Sequence, residues 1–435
     1  MILIYTHHIT SRITYASDLV FKFVLGIEYK LTDDADYFKT YQQVKIAYTN
    51  HLNLSEITIF SDDLMFENNI KSFHVKAEKN YIDFPKFFES NINDFLGYDI
   101  FAMVFYFASR YEEYMPTYLD EHQRVKAENS LAYIYNCLHI PFLNLAIQQF
   151  GDKLVEQFPT LKFNKRTFNF VSTIDIDNAF AYANKGFKRN IAGGIKDGLL
   201  LNFNQVVQRI KSNISDQKDP YYTFPLIHTL HEETKTLLRY FVLIGDYSKY
   251  DKNPRYDNLG FKNLIKGLAN DYEVGLHPSY ESFNHLEKIE IEKKRLENII
   301  EKKVTSARCH FLRINLPDTY RAFINAGITD DYTMIYASQS GFRTGLCTPY
   351  PWFDLEKNRI TSLTIHPSTI MEGTLRDYNG YTPEHANSVI NSLLNEVKKQ
   401  GGEFVSVWHN DSFVPSQKDW INVYKRLLEK SKISN

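Results

Sequence analysis

Hydrophobic positions are spaced differently in the two parts of the chain. Across residues 1–160, short apolar runs at 1–6, 44–48 and 57–60 read as strands. Residues 17–25 read as a short amphipathic helix with Phe21, Val24 and Leu25 on one side. Residues 99–114 form a strongly apolar helix that turns polar at Ser109, and 141–158 form a second long helix. Arg110, Glu112 and Glu113 at the polar end read as a solvated helix terminus, with a partner- or ligand-facing role as the alternative. From about residue 165 the rhythm changes. Strand-like runs at 168–177, 237–246, 272–279, 308–314, 333–338, 361–367 and 404–410 alternate with helical stretches such as 261–268, 286–302, 318–326 and 384–400. That alternation predicts parallel β/α units. Seven strands over residues 165–435 fit a closed or nearly closed barrel, a fold that typically takes about 250 residues. The expected class is therefore α/β, with a smaller N-terminal domain over 1–160 and the barrel over 165–435. The boundary rests on Phe158-Pro159 and the polar stretch 162–166.

Composition removes several function classes. A formal net charge of -2 gives no electrostatic footprint for nucleic acid or a membrane surface. No stretch approaches the roughly 18 apolar residues of a membrane-spanning helix. The first residues lack the basic start and the apolar length of a secretion signal. The expectation is a soluble cytoplasmic protein. Cys137, Cys309 and Cys347 are widely spaced and form no CxxC pair, which is compatible with a reducing compartment.

The chemistry concentrates at the strand ends, where a parallel barrel places its function. Asp175-Ile176-Asp177 closes the first run. Strand side chains repeat every two residues, so both carboxylates point the same way. Two like charges at a buried strand end are costly unless a cation binds or one carboxylate holds a proton. Alternatively, Asp177 simply caps the helix expected from Asn178 onward. The other strand ends carry Gly245-Asp246, His277 with Glu281, Arg308 with His310 and Arg313, His366 with Glu372, and Trp408-His409. Histidines at four strand ends, in a chain with only 14, point to one shared site rather than to isolated polar groups.

Here the chain resembles the NodB-homology polysaccharide deacetylases of carbohydrate esterase family 4, over about residues 165–415, in a divergent branch with an N-terminal accessory domain. Thr173-Ile174-Asp175-Ile176-Asp177 stands where that family has Thr-Phe-Asp-Asp. Residues 240–245 resemble its second strand. Glu273-Val274-Gly275-Leu276-His277-Pro278-Ser279 resembles its Glu-x-Gly-x-His-Ser/Thr, and Val407-Trp408-His409 resembles its closing Leu-x-His. The motif at 109–114 resembles that of the accessory domain that precedes such enzymes. The resemblance implies a deformed (β/α)7 barrel of the NodB, glycoside hydrolase/deacetylase type. It implies divalent-metal hydrolysis, most simply with zinc, of an acetyl group on an N- or O-acetylated sugar. Asp177 and His277 would be metal ligands, Asp175 the base and His409 the acid. The chain departs from the pattern in three ways, one being that Arg308 and Arg313 lack the proline of the family's Arg-x-Pro motif. Ile176 separates the acidic pair, and Glu281 stands where the family has its second histidine. A catalytic zinc usually takes three protein ligands, so Glu281 or, alternatively, His310 would supply the third.

Arg308 or Arg313 could orient the base. Trp352, in Tyr350-Pro351-Trp352-Phe353, and Trp408 could contact a sugar, and Arg343 between Gly341 and Gly345 could meet an anionic one. A packing role stands level with sugar contact for Trp352, and a glycine-bounded turn is the plainer reading for Arg343. A carbohydrate is the expected partner, and oligomeric state stays open. Two other functions remain in view. One is a catalytically degenerate fold that binds a glycan or a protein partner. The other is a haloacid-dehalogenase-like phosphohydrolase using Asp175 and Asp177, with Asp246 and Asp251 as its later acidic motif.

Overall fold

The computed structural model describes residues 1–50, 55, 57–77, 82–90, 94–115, 117–164, 166–186 and 202–432. The N-terminal unit is built on a four-stranded parallel sheet of β1 (Ile2–Tyr5), β2 (Tyr29–Thr32), β3 (Lys45–Tyr48) and β4 (Thr58–Ile59), in the order β2-β1-β3-β4. Two apolar helices, Ile100–Ala108 and Phe142–Gln157, form much of its interior. All nine residues of the first are buried, which explains why its apolar positions show little helical periodicity.

The second unit holds a nine-stranded sheet. Its strands are β5 (Asn169–Ile176), β6 (Leu237–Leu243), β7 (Glu273–His277), β8 (Ser306–Ala307), β9 (Asp330–Asp331), β10 (Tyr350–Asp354), β11 (Arg359–Ile365), β12 (Ser368–Met371) and β13 (Glu403–His409). The order is β10-β11-β9-β8-β7-β6-β5-β13-β12, parallel throughout except for the β10/β11 hairpin. β11 and β12 lie towards opposite ends of that order, yet only His366 and Pro367 separate them. Three residue steps span at most about 11 Å, so the sheet curls until its ends approach. Ser368 documents the approach: its N–H donates to the Met334 carbonyl (3.2 Å) and its hydroxyl to the Tyr332 carbonyl (2.8 Å). Packing inside the curl is tight enough to require glycine at position 275, where a Cβ would come within 2.6 Å of both the Phe241 ring and Ser306 Oγ.

Two expected strands shrink. The strand expected at 308–314 lies instead just before it, at Ser306–Ala307, and the backbone of the run turns left-handed at Phe311 (φ 59°) and Leu312 (φ 57°). The run at 333–338 is replaced by Asp330–Asp331. There the buried Asp331 carboxylate accepts from Thr333 N and Thr333 Oγ1 and folds the chain back on itself. His366 also departs from its expected place. It bonds Glu403 (2.8 Å) and Asp330 (3.1 Å), the first residues of β13 and β9, and stacks on Tyr332, so it lies at the amino-terminal end of the strands.

One hydrophobic core runs through both units. A buried ionic network also joins them. Arg110 is left-handed (φ 57°) and ends the first helix, and it is buried rather than solvated. It pairs with Glu112 (2.9 Å) and Glu113 (2.7 Å), and it donates to the Arg343 carbonyl and the Tyr336 hydroxyl. Arg343 closes the network with a bidentate pair to Glu113 (2.9 and 2.7 Å). It is therefore a structural contact and does not face a ligand. Burial opposes ionisation of Glu113, but Arg110 and Arg343 hold its carboxyl down at about 2. No helix among the described residues is long and apolar enough to cross a membrane.

Two stability measurements probe these features. Glu113→Ala leaves two buried guanidinium groups short of their main partner. It should cost roughly 3–5 kcal/mol in chemical denaturation of the full chain, and a loss below about 1 kcal/mol would mean the network bears little load. Burial disfavours the charged form of His366, yet Asp330 and Glu403 raise its pKa to about 9. Its pairing therefore stabilises fully below the unfolded value near 6.5 and is lost as pH rises towards 9. The stability advantage of the wild type over His366→Gln should be largest at pH 6 and shrink by pH 9; a constant difference would contradict the pairing.

Candidate metal centre

Parallel strands end side by side, and their register sets the site. His409 pairs with Asp175 across β13 and β5, and His277 closes β7 opposite Leu243. Asp177 follows β5 by one residue. Three imidazole nitrogens converge on its carboxylate: His277 Nε2 at 3.1 Å, His310 Nε2 at 3.3 Å and His409 Nε2 at 3.7 Å. Asp177, His277 and His310 offer ligand atoms that all lie within 4.8 Å of one another.

Each ring is aimed by what grips its other nitrogen. His277 Nδ1 lies 2.5 Å from the Arg308 carbonyl, which can only accept, so Nδ1 carries the proton and Nε2 presents a lone pair. His310 Nδ1 meets Asp251 Oδ1 at 2.9 Å, and His409 Nδ1 meets Glu372 Oε1 at 2.7 Å. Such carbonyl and carboxylate partners orient metal-ligating histidines in general. Asp177 Oδ1 is a buried oxygen without an aligned hydrogen-bond donor, and His277 Nε2 is 3.1 Å away. A cation between these two atoms, a proton or a metal ion, satisfies both. The donor set of one carboxylate and two imidazoles suits a divalent transition metal, zinc among them. The Asp177 side chain keeps 34% exposure, so the centre has an open side.

The cluster is strongly polarised. Burial alone would raise the Asp177 pKa, but His310 and His409 hold it well below the usual carboxylate range. Burial would likewise lower His310, yet Asp177 and Asp251 raise it to about 9. His409 is pushed well above its ordinary value against burial, by Glu372 and then Asp177.

Asp175 occupies the adjoining position. Its Oδ1 accepts from Arg308 Nη1 (2.7 Å), and its Oδ2 stands 3.9 Å from His277 Nε2. Arg308 is fully buried and held by donating also to Thr173 Oγ1 and the Tyr332 carbonyl. Glu372 is buried on the far side, where it accepts from His409 N and Ser412 Oγ.

The structure brings together Asp175, Asp177, His277, His310, Arg308 and His409. Glu281 does not join the cluster; it lies in the turn Tyr280–Phe283, and His310 takes the third place. Arg313 turns away from the base and donates to the carbonyls of His122 and Tyr280. Trp352 is buried against Tyr320, and Trp408 is buried against Tyr424, so neither indole offers a face for a sugar. Asp246 pairs with Arg295 at the surface, and only Asp251 of that acidic pair reaches the site. Asp251 and Glu372 acquire their orienting roles through contacts 59 and 37 residues distant in the chain. A single sequence carries no spacing signal for such pairs.

Residues 2–159 match the model of a family of unknown function, DUF7033. No curated protein matches the chain. Among solved structures, one similar chain is described as a putative polysaccharide deacetylase from Mycobacterium smegmatis: 15% identity, TM-score 0.40, covering 61% of this chain and 84% of that one. Another is a polysaccharide deacetylase from Bacillus cereus: 13% identity, TM-score 0.30, covering 61% and 88%. The reading of the site rests on this chain's own residues.

The geometry separates ligands from bystanders. Purified protein should take up about one equivalent of zinc, and His277→Ala or His310→Ala should abolish or greatly weaken that uptake. Glu281→Ala should leave it unchanged, as read by metal analysis after dialysis. Loss of metal in Glu281→Ala with retention in His310→Ala would reverse the assignment.

Proposed function

We propose that this chain is a metal-dependent hydrolase of the polysaccharide-deacetylase type, with its second unit a deformed (β/α)7 barrel, and that it removes an acetyl group from an N- or O-acetylated sugar. One observation carries the reading. A carboxylate and two imidazoles whose Nε2 atoms turn to the centre form a three-donor site, beside an Arg-held carboxylate and a carboxylate-held histidine. When bound there, a divalent cation supplies polarisation of the acetyl carbonyl and a lowered pKa for water. Asp177, His277 and His310 would hold it.

The remaining work falls to this chain's side chains. Asp175 accepts the proton of the attacking water, and Arg308 fixes the carboxylate while leaving Oδ2 towards the centre. His409, its Nδ1 held by Glu372, acts as the acid and donates from Nε2 to the departing nitrogen or oxygen. Glu372 keeps the Nδ1 proton in place and stabilises the imidazolium. An acid and a base beside one centre, here Asp175 and His409 at paired positions of neighbouring strands, is the arrangement that acyl-group hydrolysis needs.

Acetate release from acetylated amino sugars and sugar esters, measured on the full chain with zinc, tests the proposal. Activity should vanish with a chelator and return with metal. Asp175→Asn should lower kcat by about 10²–10⁴-fold while the bound metal stays at one equivalent. A zinc-loaded protein that releases no acetate from either class of substrate would remove the hydrolase reading. Hydrolysis of p-nitrophenyl phosphate with magnesium that is lost in Asp175→Asn would move the function to phosphoryl transfer.

A further inference from the structure

Two of the three donors sit on or beside regular strand, Asp177 after β5 and His277 at the end of β7. His310 does not. It opens the turn His310–Leu312, where two consecutive residues with side chains, Phe311 and Leu312, hold left-handed backbone. Such backbone persists only where surrounding contacts over-determine it. In this chain Tyr250 and Tyr280 pack on the Phe311 ring and Leu312 packs with Ile335, Met371 and Val407, and the N-terminal unit adds the polar contacts on the turn.

Two arginines reach across in opposite directions. Arg124 donates from Nη1 to the Phe311 carbonyl (2.9 Å), with Nε anchored on Asp120 (2.7 Å) and Nη2 on the Tyr378 hydroxyl (3.0 Å). Arg313, just past the turn, donates from Nε back to the His122 carbonyl (2.7 Å). The His122 ring fills the space between, 4.8 Å from the Phe311 ring, and the Phe311 ring lies 4.7 Å from that of His310. Arg124 and Arg313 are both buried. The loop 120–124 thus meets the one segment of the donor set that lacks strand support.

We propose that this reciprocal arginine clasp is a positioning device: the N-terminal unit completes the cation site by holding the Phe311-Leu312 turn in the form that aims His310 Nε2 at Asp177. Arg124 touches neither the cation position nor the reacting atoms, so it is a positioning residue. Its effect should appear in metal affinity and geometry before it appears in fold stability. The inference rests on the metal centre proposed above, and the two can fail separately.

The test uses the full chain, with zinc affinity measured by chelator competition and ligand geometry by the visible spectrum of the cobalt-substituted protein. Arg124→Ala should weaken zinc binding about 10–100-fold, the range for loss of a group that orients a metal ligand. The cobalt spectrum should shift towards that of His310→Ala. Phe311→Gly places at that position the residue that adopts left-handed backbone without penalty. Combined with Arg124→Ala, it should recover part of the lost affinity, which a general packing defect would not allow. Should Arg124→Ala fail to fold, Arg124→Gln retains much of the stem while losing the charge and most donors, and the same shift is expected of it. Folded Arg124 variants with wild-type zinc affinity and cobalt spectrum would overturn the clasp while leaving the metal centre standing. A wild type that binds no zinc would overturn the metal centre itself.

Discussion

Everything at the strand ends depends on one electrostatic conflict. Asp177 is a carboxylate faced by three imidazole nitrogens, and one of its oxygens is buried without a proton donor. The surrounding structure maintains this conflict instead of relaxing it. The Arg308 carbonyl and the carboxylates of Asp251 and Glu372 each grip an Nδ1 and turn the Nε2 inward. A buried cluster of acceptor atoms is favourable only with positive charge at its centre, protons on the imidazoles or a bound metal ion. The orienting groups are as much a part of this site as the donors they aim.

The N-terminal unit belongs to the same account. Its connection to the sheet is apolar in bulk, but polar junctions give it direction, among them two built on arginines. The Arg110–Glu113–Arg343 network buries three charges that satisfy one another, and the clasp of Arg124 and Arg313 meets the turn beyond β8. Both lie at backbone irregularities, Arg110 being left-handed itself and the clasp binding the left-handed pair Phe311 and Leu312. Irregular backbone persists where tertiary contacts over-determine it, and these contacts come from more than one hundred residues away.

The parts legible in the sequence were those governed by local period and local charge. The parallel strands β5, β6, β7 and β13 follow from short β-branched runs, and the helix Pro383–Gln400 follows from its apolar spacing. The Asp-x-Asp spacing placed two carboxylates on one face, and both now face His277. Single residues without such a pattern stay ambiguous in sequence. Trp352 and Trp408 are candidate sugar contacts there and fill the core, and Arg110 reads as a solvated helix-end cation and is buried. Side-chain chemistry alone does not report burial, because an indole or guanidinium is used in either setting.

Chain-local physics by itself determined that strands and helices alternate after residue 165, and that Asp175, Asp177, His277 and His409 stand at strand ends. Tertiary structure alone decided that His310 rather than Glu281 completes the donor set, that His366 goes to the opposite mouth, and that Asp251 and Glu372 orient the histidines. The physical reason is the same each time. Position along a strand is set by a two-residue period that sequence displays. Which turn, loop or distant carboxylate meets that strand end is set by how the sheet curls and where the backbone leaves its regular path.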